Sequence, residues 1–179
     1  MERFVDREME MDTLQSEYNR NGSSLVVLYG RRRVGKTTLI NEFIKGKKAL
    51  FFLASEESES QNRNSFKEKA AEFIDSDLLR NASVSNWDAI FKAIMDYSFD
   101  TKPVIVLDEF QYLGKTNPAF PSVFQRIWEE QLKDKSVMTL CCSPISFLVL
   151  FYIQVIEILQ FILMVTKYSL GLCLNLRSG

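Results

Sequence analysis

Four short runs of apolar residues divide the chain and predict strands that are buried on both faces. They are "LVVLY" at 25–29, "ALFFLA" at 49–54, "VIVLDEF" at 104–110 and "VMTLCCS" at 137–143. A continuous apolar run, rather than an alternating one, is typical of a strand inside a parallel sheet that is covered on both sides. The pattern therefore predicts four strands of a parallel sheet.

Between these runs, apolar residues recur at the three- and four-residue spacing of amphipathic helices. Helices are predicted at 6–19 with Asp6 as the cap, at 37–45, at 66–74, from Ser85 with Asp88 in a capping-box-like start, and around 123–131. Residues 55–65 are predicted to form a loop or a helix entrance, and residues 114–121 a loop. Strands that alternate with helices indicate a three-layer α/β domain with right-handed crossovers.

The last quarter of the chain has a different composition. Beyond Lys135 only Glu157, Lys167 and Arg177 carry a charge. We therefore divide the chain into a domain at 1–143 and a divergent hydrophobic tail at 144–179. The tail has three interpretations, in order of preference: the product of a truncated or frameshifted gene, a packed helix or replacement strand, and a membrane segment.

Two stretches of the tail are the basis of these interpretations. Residues 145–166 are long enough to span a bilayer, but Gln154, Glu157 and Gln160 form a narrow polar stripe that opposes insertion. Residues 168–176, "YSLGLCLNL", alternate weakly and are a candidate for a fifth strand of the sheet.

Composition excludes several kinds of chemistry. The chain has no histidine, which excludes Ser-His and Cys-His catalysis and histidine-based zinc sites. Its three cysteines form neither an even disulfide framework nor a metal-binding pair, and its charged first residues do not resemble a secretory signal, so a cytoplasmic protein with reduced thiols is predicted. A net charge of −1 gives no general attraction for polyanions, so a phosphate ligand must be held locally.

One such local site is "GRRRVGKT", which follows the first apolar run and opens a helix. It fits the phosphate-binding pattern G-x-x-x-x-G-K-[ST] in the strand–loop–helix context that the pattern requires. Backbone N–H groups at a helix N-terminus bind phosphate, and glycines let the backbone approach it closely. The predicted nucleotide-binding residues are Gly30, Arg31, Arg32, Arg33, Val34, Gly35, Lys36, Thr37 and Thr38.

Within this loop the residues have different predicted roles. Lys36 is expected to reach the β- and γ-phosphates, and the Thr37 hydroxyl to coordinate Mg²⁺. Thr38 either contacts the α-phosphate or is an ordinary residue of the first helical turn. The three arginines cannot all reach phosphate from one loop, so at least one of them faces solvent or pairs with an acid.

The carboxylates of "VIVLDEF" supply a second candidate element. Asp108 is the expected outer ligand of Mg²⁺, usually through a water molecule, and Glu109 is expected to orient or deprotonate the attacking water. Considered alone, the pair is as readily explained as two solvated acids at a strand end. With a phosphate loop upstream, the pair favours ATP hydrolysis in which Glu109 and Lys36 are catalytic. The alternatives are a nucleotide-dependent switch with little turnover and a membrane-tethered ATPase.

Two further residues are weaker candidates. Ser143 ends the fourth predicted strand, where related ATPases place a polar residue that senses the γ-phosphate, but serine is also a common turn former. Arg126 is a candidate arginine finger for a neighbouring subunit, although an exposed helical arginine is a commoner finding.

These motifs resemble the archaeal-type ATPase family, a branch of the P-loop NTPases near the AAA+ and STAND groups. The resemblance rests on "FVDRE" at 4–8, "YGRRRVGKTTLI" at 29–40, "VIVLDEFQYL" at 104–113 and "FQRIWEE" at 124–130. It implies ATP and Mg²⁺ as ligands and a five-stranded sheet in the order 5-1-4-3-2. It also implies that residues 4–8 lie near the adenine.

The same resemblance implies a lid and a winged-helix region, a nucleic-acid or protein partner and a homo-oligomer. After Ser143 the chain departs from the family pattern, because the Tyr-Gly-Arg-Arg-like motif that precedes the family's fifth strand is absent from the sequence. A membrane association is the less favoured possibility.

Overall fold

The computed structural model describes residues 7–30 and 33–144, together with the backbone of 171–176. Neighbouring strands run parallel in the order β2-β3-β4-β1-β5. This is the order 5-1-4-3-2, so the predicted α/β fold with a parallel sheet is confirmed. The strands are β1 (Ser24–Gly30), β2 (Ala49–Leu53), β3 (Val104–Asp108), β4 (Met138–Pro144) and β5 (Gly171–Leu176).

The register of the central strands brings their carboxyl ends to one edge of the sheet. Gly30 at the end of β1 lies beside Pro144 of β4, and Leu107 of β3 lies beside Cys141 of β4. Strand β4 therefore separates β1 from β3 by two strand spacings, or about 10 Å. Ligands of open α/β sheets bind in the crevice outside such carboxyl ends.

The described helices connect these strands as the sequence pattern predicted, with several changes at their ends. They are α1 (Glu8–Asn19), α2 (Lys36–Ile44), α3 (Glu59–Phe73), α4 (Asp77–Asn81), α5 (Trp87–Asp96), α6 (Gln111–Thr116) and α7 (Phe120–Ile127), and α7 continues into a π-helical turn (Trp128–Leu132).

Alternation of side chains along the strands creates two separate cores, one on each face of the sheet. On one face α1 and α2 pack against Val26, Leu28, Val106 and Leu140, and we call this the aliphatic core. On the other face α3 to α7 pack against strand residues of the opposite phase, such as Leu107, and we call this the aromatic core. Three layers follow directly from this division.

Ring contacts characterise the aromatic core. Phe66 lies at the centre of one group, with ring centroids 5.2 Å from Phe52, 5.5 Å from Trp87 and 5.1 Å from Phe91. Phe66 and its three partners are all at most 2% exposed. Edge-on and tilted rings at these distances add to the stabilisation from buried apolar area.

Local hydrogen bonds correct two predicted helix starts. Helix α3 begins at Glu59, well before the predicted start at 66, because Ser58 and Gln61 form a reciprocal capping box. Helix α5 is capped by Asn86, whose side chain accepts a hydrogen bond from the Ala89 N–H, so the prediction that Ser85 caps this helix is wrong. Like serine, asparagine caps a helix by accepting a hydrogen bond from a free N–H group of the first turn.

The predicted loop at 114–121 is also wrong at both ends. Helix α6 extends through Thr116, and α7 already begins at Phe120 with Pro121 in its first turn. Proline is tolerated there because its missing N–H would have no helical partner. Helices α4 and α6 were not predicted, since five or six residues are too few to show a period.

The hydrophobic tail is described only in part. Gly171–Leu176 pairs with β1, so the candidate fifth strand is confirmed. The predicted cap Asp6 and the predicted spanning or packed segment at 145–166 lie outside the described residues. The division at residue 143 stays a prediction. Among the residues that the structure describes, no helix is long and apolar enough to cross a membrane.

Candidate functional site

The phosphate-binding loop leaves β1 at Gly30 and enters α2 at Lys36. Arg33 and Gly35 have left-handed backbone conformations, with φ of 65° and 80°. Apart from its two chain neighbours, no heavy atom of the described residues lies within 4 Å of a Cβ placed at Gly35, so the backbone conformation, not space, favours glycine there. In the part of the chain that the structure describes, no side chain caps the first turn of α2. Its N–H groups are therefore arranged for an anion.

The Lys36 side chain lies over the loop that it follows. Its Nζ donates a hydrogen bond to the Gly30 carbonyl oxygen at 3.3 Å, and the residue is only 7% exposed. The ammonium group is thus held close to the turn rather than extended into solvent. A partly desolvated positive charge attracts phosphate more strongly than a charge in water does.

The residue that precedes α1 supports the loop. Arg7 Nη2 donates a hydrogen bond to the Val34 carbonyl oxygen at 2.7 Å, and Arg7 Nη1 pairs with Glu10 at 3.0 Å. Sequence reasoning placed residues 4–8 near the adenine but assigned no contact to Arg7. The signal available was its place in "FVDRE", 27 positions before Val34.

A hydrogen bond joins the two predicted metal ligands. Thr37 Oγ1 donates to Asp108 Oδ2 at 2.9 Å, although the two residues are 71 positions apart. Thr37 lies in the first turn of α2 and Asp108 ends β3, so this contact spans the width of β4. The structure brings together the two motifs that the sequence contains separately.

Glu109 stands on a strained turn directly after Asp108. Its φ of 53° is left-handed, a conformation that costs a non-glycine residue roughly 1 kcal/mol or more. The turn is fixed by hydrogen bonds from the Glu109 N–H to Asp108 Oδ1 and from the Phe110 N–H to the Cys142 carbonyl oxygen, each of 2.9 Å. The backbone of Glu109 is therefore tied to both β3 and β4.

Two buried polar residues complete the site on this side. Gln111 Nε2 donates a hydrogen bond to Glu109 Oε2, and Ser143 Oγ donates one to Gln111 Oε1 at 3.3 Å. The prediction considered Ser143 only as a weak candidate and did not consider Gln111. The available signal was a glutamine two positions after Glu109, where an apolar residue would suit a buried position.

Burial alters the acidity of the groups at this edge. Desolvation raises the pKa of Asp108, while the hydrogen bonds from Thr37 and from the Glu109 backbone oppose that shift. Burial also raises the pKa of the Cys141 and Cys142 thiols, so neither is a thiolate nucleophile at neutral pH. The buried Asp108 carboxylate is the group at this edge that a cation would stabilise.

The other predicted residues are placed as follows. Gly30, Val34, Gly35 and Lys36 form the loop and the start of α2 with Thr37, and Thr38 is exposed in the same turn. Arg33 is exposed, whereas Arg31 and Arg32 lie outside the described residues.

Arg126 is not directed at this edge of the sheet. Its Nη2 lies 3.0 Å and 2.9 Å from the two carboxylate oxygens of Asp88, and its side chain is 54% exposed. The structure thus shows an ion pair between α7 and α5 at the position that was considered for an arginine finger.

The chain is similar to known archaeal proteins over most of its length. An uncharacterized protein of Methanocaldococcus jannaschii is 32% identical over 146 residues, which are 81% of this chain and 30% of that protein. An uncharacterized ATP-binding protein of Pyrococcus horikoshii is 29% identical over 132 residues, which are 74% of this chain and 34% of that protein. The chain spans about a third of the length of these two relatives.

Solved structures share the fold at low sequence identity. The Aeropyrum pernix ORC2 protein, solved as ADPNP–ADP complexes, superposes with a TM-score of 0.67 and 18% identity over 98% of this chain and 48% of that one. Drosophila ORC bound to DNA superposes with a TM-score of 0.66 and 16% identity over 97% of this chain and 43% of that one.

A family model described as an ATPase domain predominantly from Archaea matches residues 4–149. This range contains α1, the phosphate-binding loop, Asp108, Glu109 and Ser143. The resemblance proposed from the motifs is therefore confirmed, and the chain belongs to this family of archaeal ATPase domains.

Proposed function

We propose that the chain binds ATP with Mg²⁺ and hydrolyses it at the edge of the sheet between β1 and β3. The observation that carries this proposal is the 2.9 Å hydrogen bond between Thr37 Oγ1 and Asp108 Oδ2. A hydroxyl after the phosphate-loop lysine and a carboxylate at the end of a buried strand are the two groups that P-loop NTPases use to hold Mg²⁺. Their contact supports one shared site.

The phosphate chain would be held by the backbone and by Lys36. The uncapped first turn of α2 offers N–H groups, and Lys36 adds a positive charge that is already held beside the loop. Because the net charge of the chain is −1, this attraction is local rather than a property of the whole surface.

The residues present fit Mg²⁺. Magnesium prefers oxygen ligands and retains several waters, so one or two protein ligands with substrate phosphates are sufficient. Thr37 and Asp108 supply such oxygens, and within the described part of the chain no group of three or more His, Cys, Asp or Glu residues offers a competing cage. Bound Mg²⁺ would neutralise charge on the phosphate oxygens.

Glu109 would orient the attacking water and accept its proton. Its carboxylate follows Asp108 on a turn fixed to β3 and β4, and its Oε2 accepts a hydrogen bond from Gln111. A carboxylate positioned in this way acts as a general base and contributes roughly 10²- to 10⁴-fold to a rate. The strained backbone of Glu109 supports a functional reason for this conformation.

Glu109→Gln tests hydrolysis separately from binding. We expect the ATP dissociation constant to change less than about threefold while kcat falls roughly 100-fold or more, because the amide cannot accept the proton. Glu130→Gln, which changes an exposed glutamate of the π-helical turn, is the matched control. If ATP binds but the wild type turns over no faster than Glu109→Gln, the chain is a nucleotide-dependent switch and hydrolysis is rejected.

Asp108→Asn tests the metal site. We expect the Mg²⁺ concentration for half-maximal activity to rise at least about tenfold, because a neutral amide is a weaker ligand than a carboxylate. ATP affinity measured in EDTA should not change, since binding without metal relies on Lys36 and the loop. A variant with unchanged Mg²⁺ dependence would exclude Asp108 as a ligand.

Partners of this domain stay predictions. Drosophila ORC in the superposed structure is bound to DNA. We propose that the longer proteins in which such domains occur bind a macromolecular partner, either nucleic acid or protein. A homo-oligomer is proposed on the family resemblance, and sedimentation of the chain with and without ATP tests it.

A further inference from the structure

The hydrogen-bonded bridge from Ser143 through Gln111 to Glu109 is the least expected feature of the site. Gln111 is 7% exposed and Ser143 is 5% exposed, while the neighbouring Leu107 and Cys142 are fully buried. A buried amide is unfavourable unless both of its ends are hydrogen-bonded. Both ends of Gln111 are satisfied, one by Glu109 and one by Ser143.

The direction of these hydrogen bonds is fixed by chemistry. The carboxylate of Glu109 accepts from an N–H group, so the amide nitrogen of Gln111 faces it and the amide oxygen faces Ser143. The reverse orientation would place the amide oxygen against a carboxylate oxygen. Because every donor points toward Glu109, the two bonds polarise one another in the same direction.

The Ser143 hydroxyl connects this bridge to the end of β4. Its Oγ lies 3.3 Å from Gln111 Oε1 and 3.4 Å from the Pro144 carbonyl oxygen, so its single proton has two acceptors. Pro144 in turn lies beside Gly30, where the phosphate-binding loop begins. These contacts therefore extend from the start of that loop, across β4, to the carboxylate of Glu109.

A backbone contact holds the same turn from the other side. The Phe110 N–H donates to the Cys142 carbonyl oxygen, and the Phe110 ring packs 5.5 Å from both Phe120 and Phe124. The backbone position of Glu109 is thus set by β4 and the aromatic core without Gln111. What Gln111 adds is the orientation of the Glu109 side chain.

From these contacts we propose that Gln111 is a positioning residue, which links the end of β4 at Ser143 to Glu109 and holds the Glu109 carboxylate in its working orientation. The inference rests on the proposed hydrolysis at this site. Without the bridge the Glu109 backbone keeps its position after Asp108, but the Glu109 carboxylate rotates freely. A misplacement of about 1 Å can cost on the order of 100-fold in rate.

Turnover by the full chain provides the first test. Gln111→Leu should lower kcat about 10- to 100-fold and change the KM for ATP less than about threefold, because nucleotide binding uses other groups. Gln125→Leu, at a half-exposed glutamine of α7, should keep kcat within about twofold of the wild type. A Gln111→Leu variant with wild-type kcat overturns the proposal.

A double-mutant cycle separates positioning from general destabilisation. Ser143→Ala and Gln111→Leu remove the same bridge, so the double variant should have a kcat close to that of Gln111→Leu alone. Two residues that act independently would multiply their effects, and that result overturns the proposal.

A readout without nucleotide distinguishes failure of this bridge from failure of the proposed function. In ¹⁵N spectra of the nucleotide-free chain, the Gln111 side-chain amide, identified by its loss in Gln111→Leu, should shift in both Glu109→Ala and Ser143→Ala, while the Gln125 amide should not. If the Gln111 amide signal is unchanged in both variants, the bridge is rejected, whether or not the chain hydrolyses ATP. If the amide shifts but the wild type hydrolyses no ATP, the bridge stands and the proposed hydrolysis is rejected.

Discussion

On one face of the sheet α1 and α2 pack with aliphatic strand residues, whereas on the other α3 to α7 pack through a network of aromatic rings. The two cores support different halves of the site. Helix α2 carries Lys36 and Thr37 on the aliphatic core, and the turn with Glu109 rests on the aromatic core through Phe110. The proposed phosphate binding and the proposed water activation are therefore supported by separate packing.

The contact between Thr37 and Asp108 joins these halves at the sheet edge. Most buried hydrophobic side chains lie in one core or the other. A substitution should therefore affect stability, nucleotide affinity or turnover according to the core that it touches.

The two cores should differ most clearly when a central side chain is truncated. Phe66→Ala should lower the free energy of unfolding by roughly 3–5 kcal/mol, because a fully buried ring with three aromatic partners leaves a cavity. Urea denaturation would measure this as a midpoint lower by about 2 M, for an m-value near 2 kcal/mol/M. ATP affinity well below the melting temperature should not change.

Leu39→Ala is the matched change in the aliphatic core. Leu39 is fully buried in α2, and its loss should cost about 2–5 kcal/mol of stability. It should also weaken ATP binding, since α2 positions Lys36 and Thr37. Equal ATP affinity in Phe66→Ala and Leu39→Ala, both measured in the folded state, would contradict the division into two supports.

Within the phosphate-binding loop, the single charge of Lys36 should contribute more to ATP binding than the three arginine charges together. Lys36→Ala should weaken ATP binding roughly 10- to 150-fold, because it removes a charge-assisted hydrogen bond worth about 1.5–3 kcal/mol. Replacement of Arg31, Arg32 and Arg33 together by Ala should weaken it less than about fivefold, since the three cannot all reach phosphate from one loop and salt screens the charges that do not. Isothermal titration measures both, and equal losses would give the arginines a direct role.

Arg7 tests the support that the loop receives from α1. Arg7→Met keeps the aliphatic part of the side chain but removes the hydrogen bond to the Val34 carbonyl oxygen. We expect a loss of about 1.5 kcal/mol in stability and ATP binding roughly fivefold weaker. Glu10→Gln, which removes only the charge of the Arg7 partner, is the control and should change both quantities less. Unchanged ATP affinity in Arg7→Met would separate α1 from the site.

The smallest effect is expected at the ion pair between α5 and α7. Arg126→Ala should lower the free energy of unfolding by less than about 1 kcal/mol, because the arginine side chain is half exposed. Turnover should stay within about twofold of the wild type, as it should in Asp88→Asn, which removes the same pair but keeps the arginine. A loss of turnover confined to Arg126→Ala would identify this residue as an arginine finger.

Local sequence patterns determined most of the secondary structure and the nature of the site. Continuous apolar runs predicted the central strands because a parallel sheet is covered on both faces. The spacing of Gly30, Gly35, Lys36 and Thr37 predicted the phosphate-binding loop, since the same backbone curvature and charge are needed wherever phosphate is bound. Helix ends were predicted less well, because Asn86 and Ser85 are both capable caps and sequence does not choose between them.

Only the tertiary structure decided which distant residues meet. The strand order places β4 between β1 and β3, and this order brings Thr37 to Asp108 and Ser143 to Gln111. Hydrophobic periodicity shows which side of a strand or helix is buried, but it does not show which element lies beside it. For the same reason the contacts of Arg7 and Gln111 were not predicted, since the physical role of each residue is a hydrogen bond to a partner that folding selects.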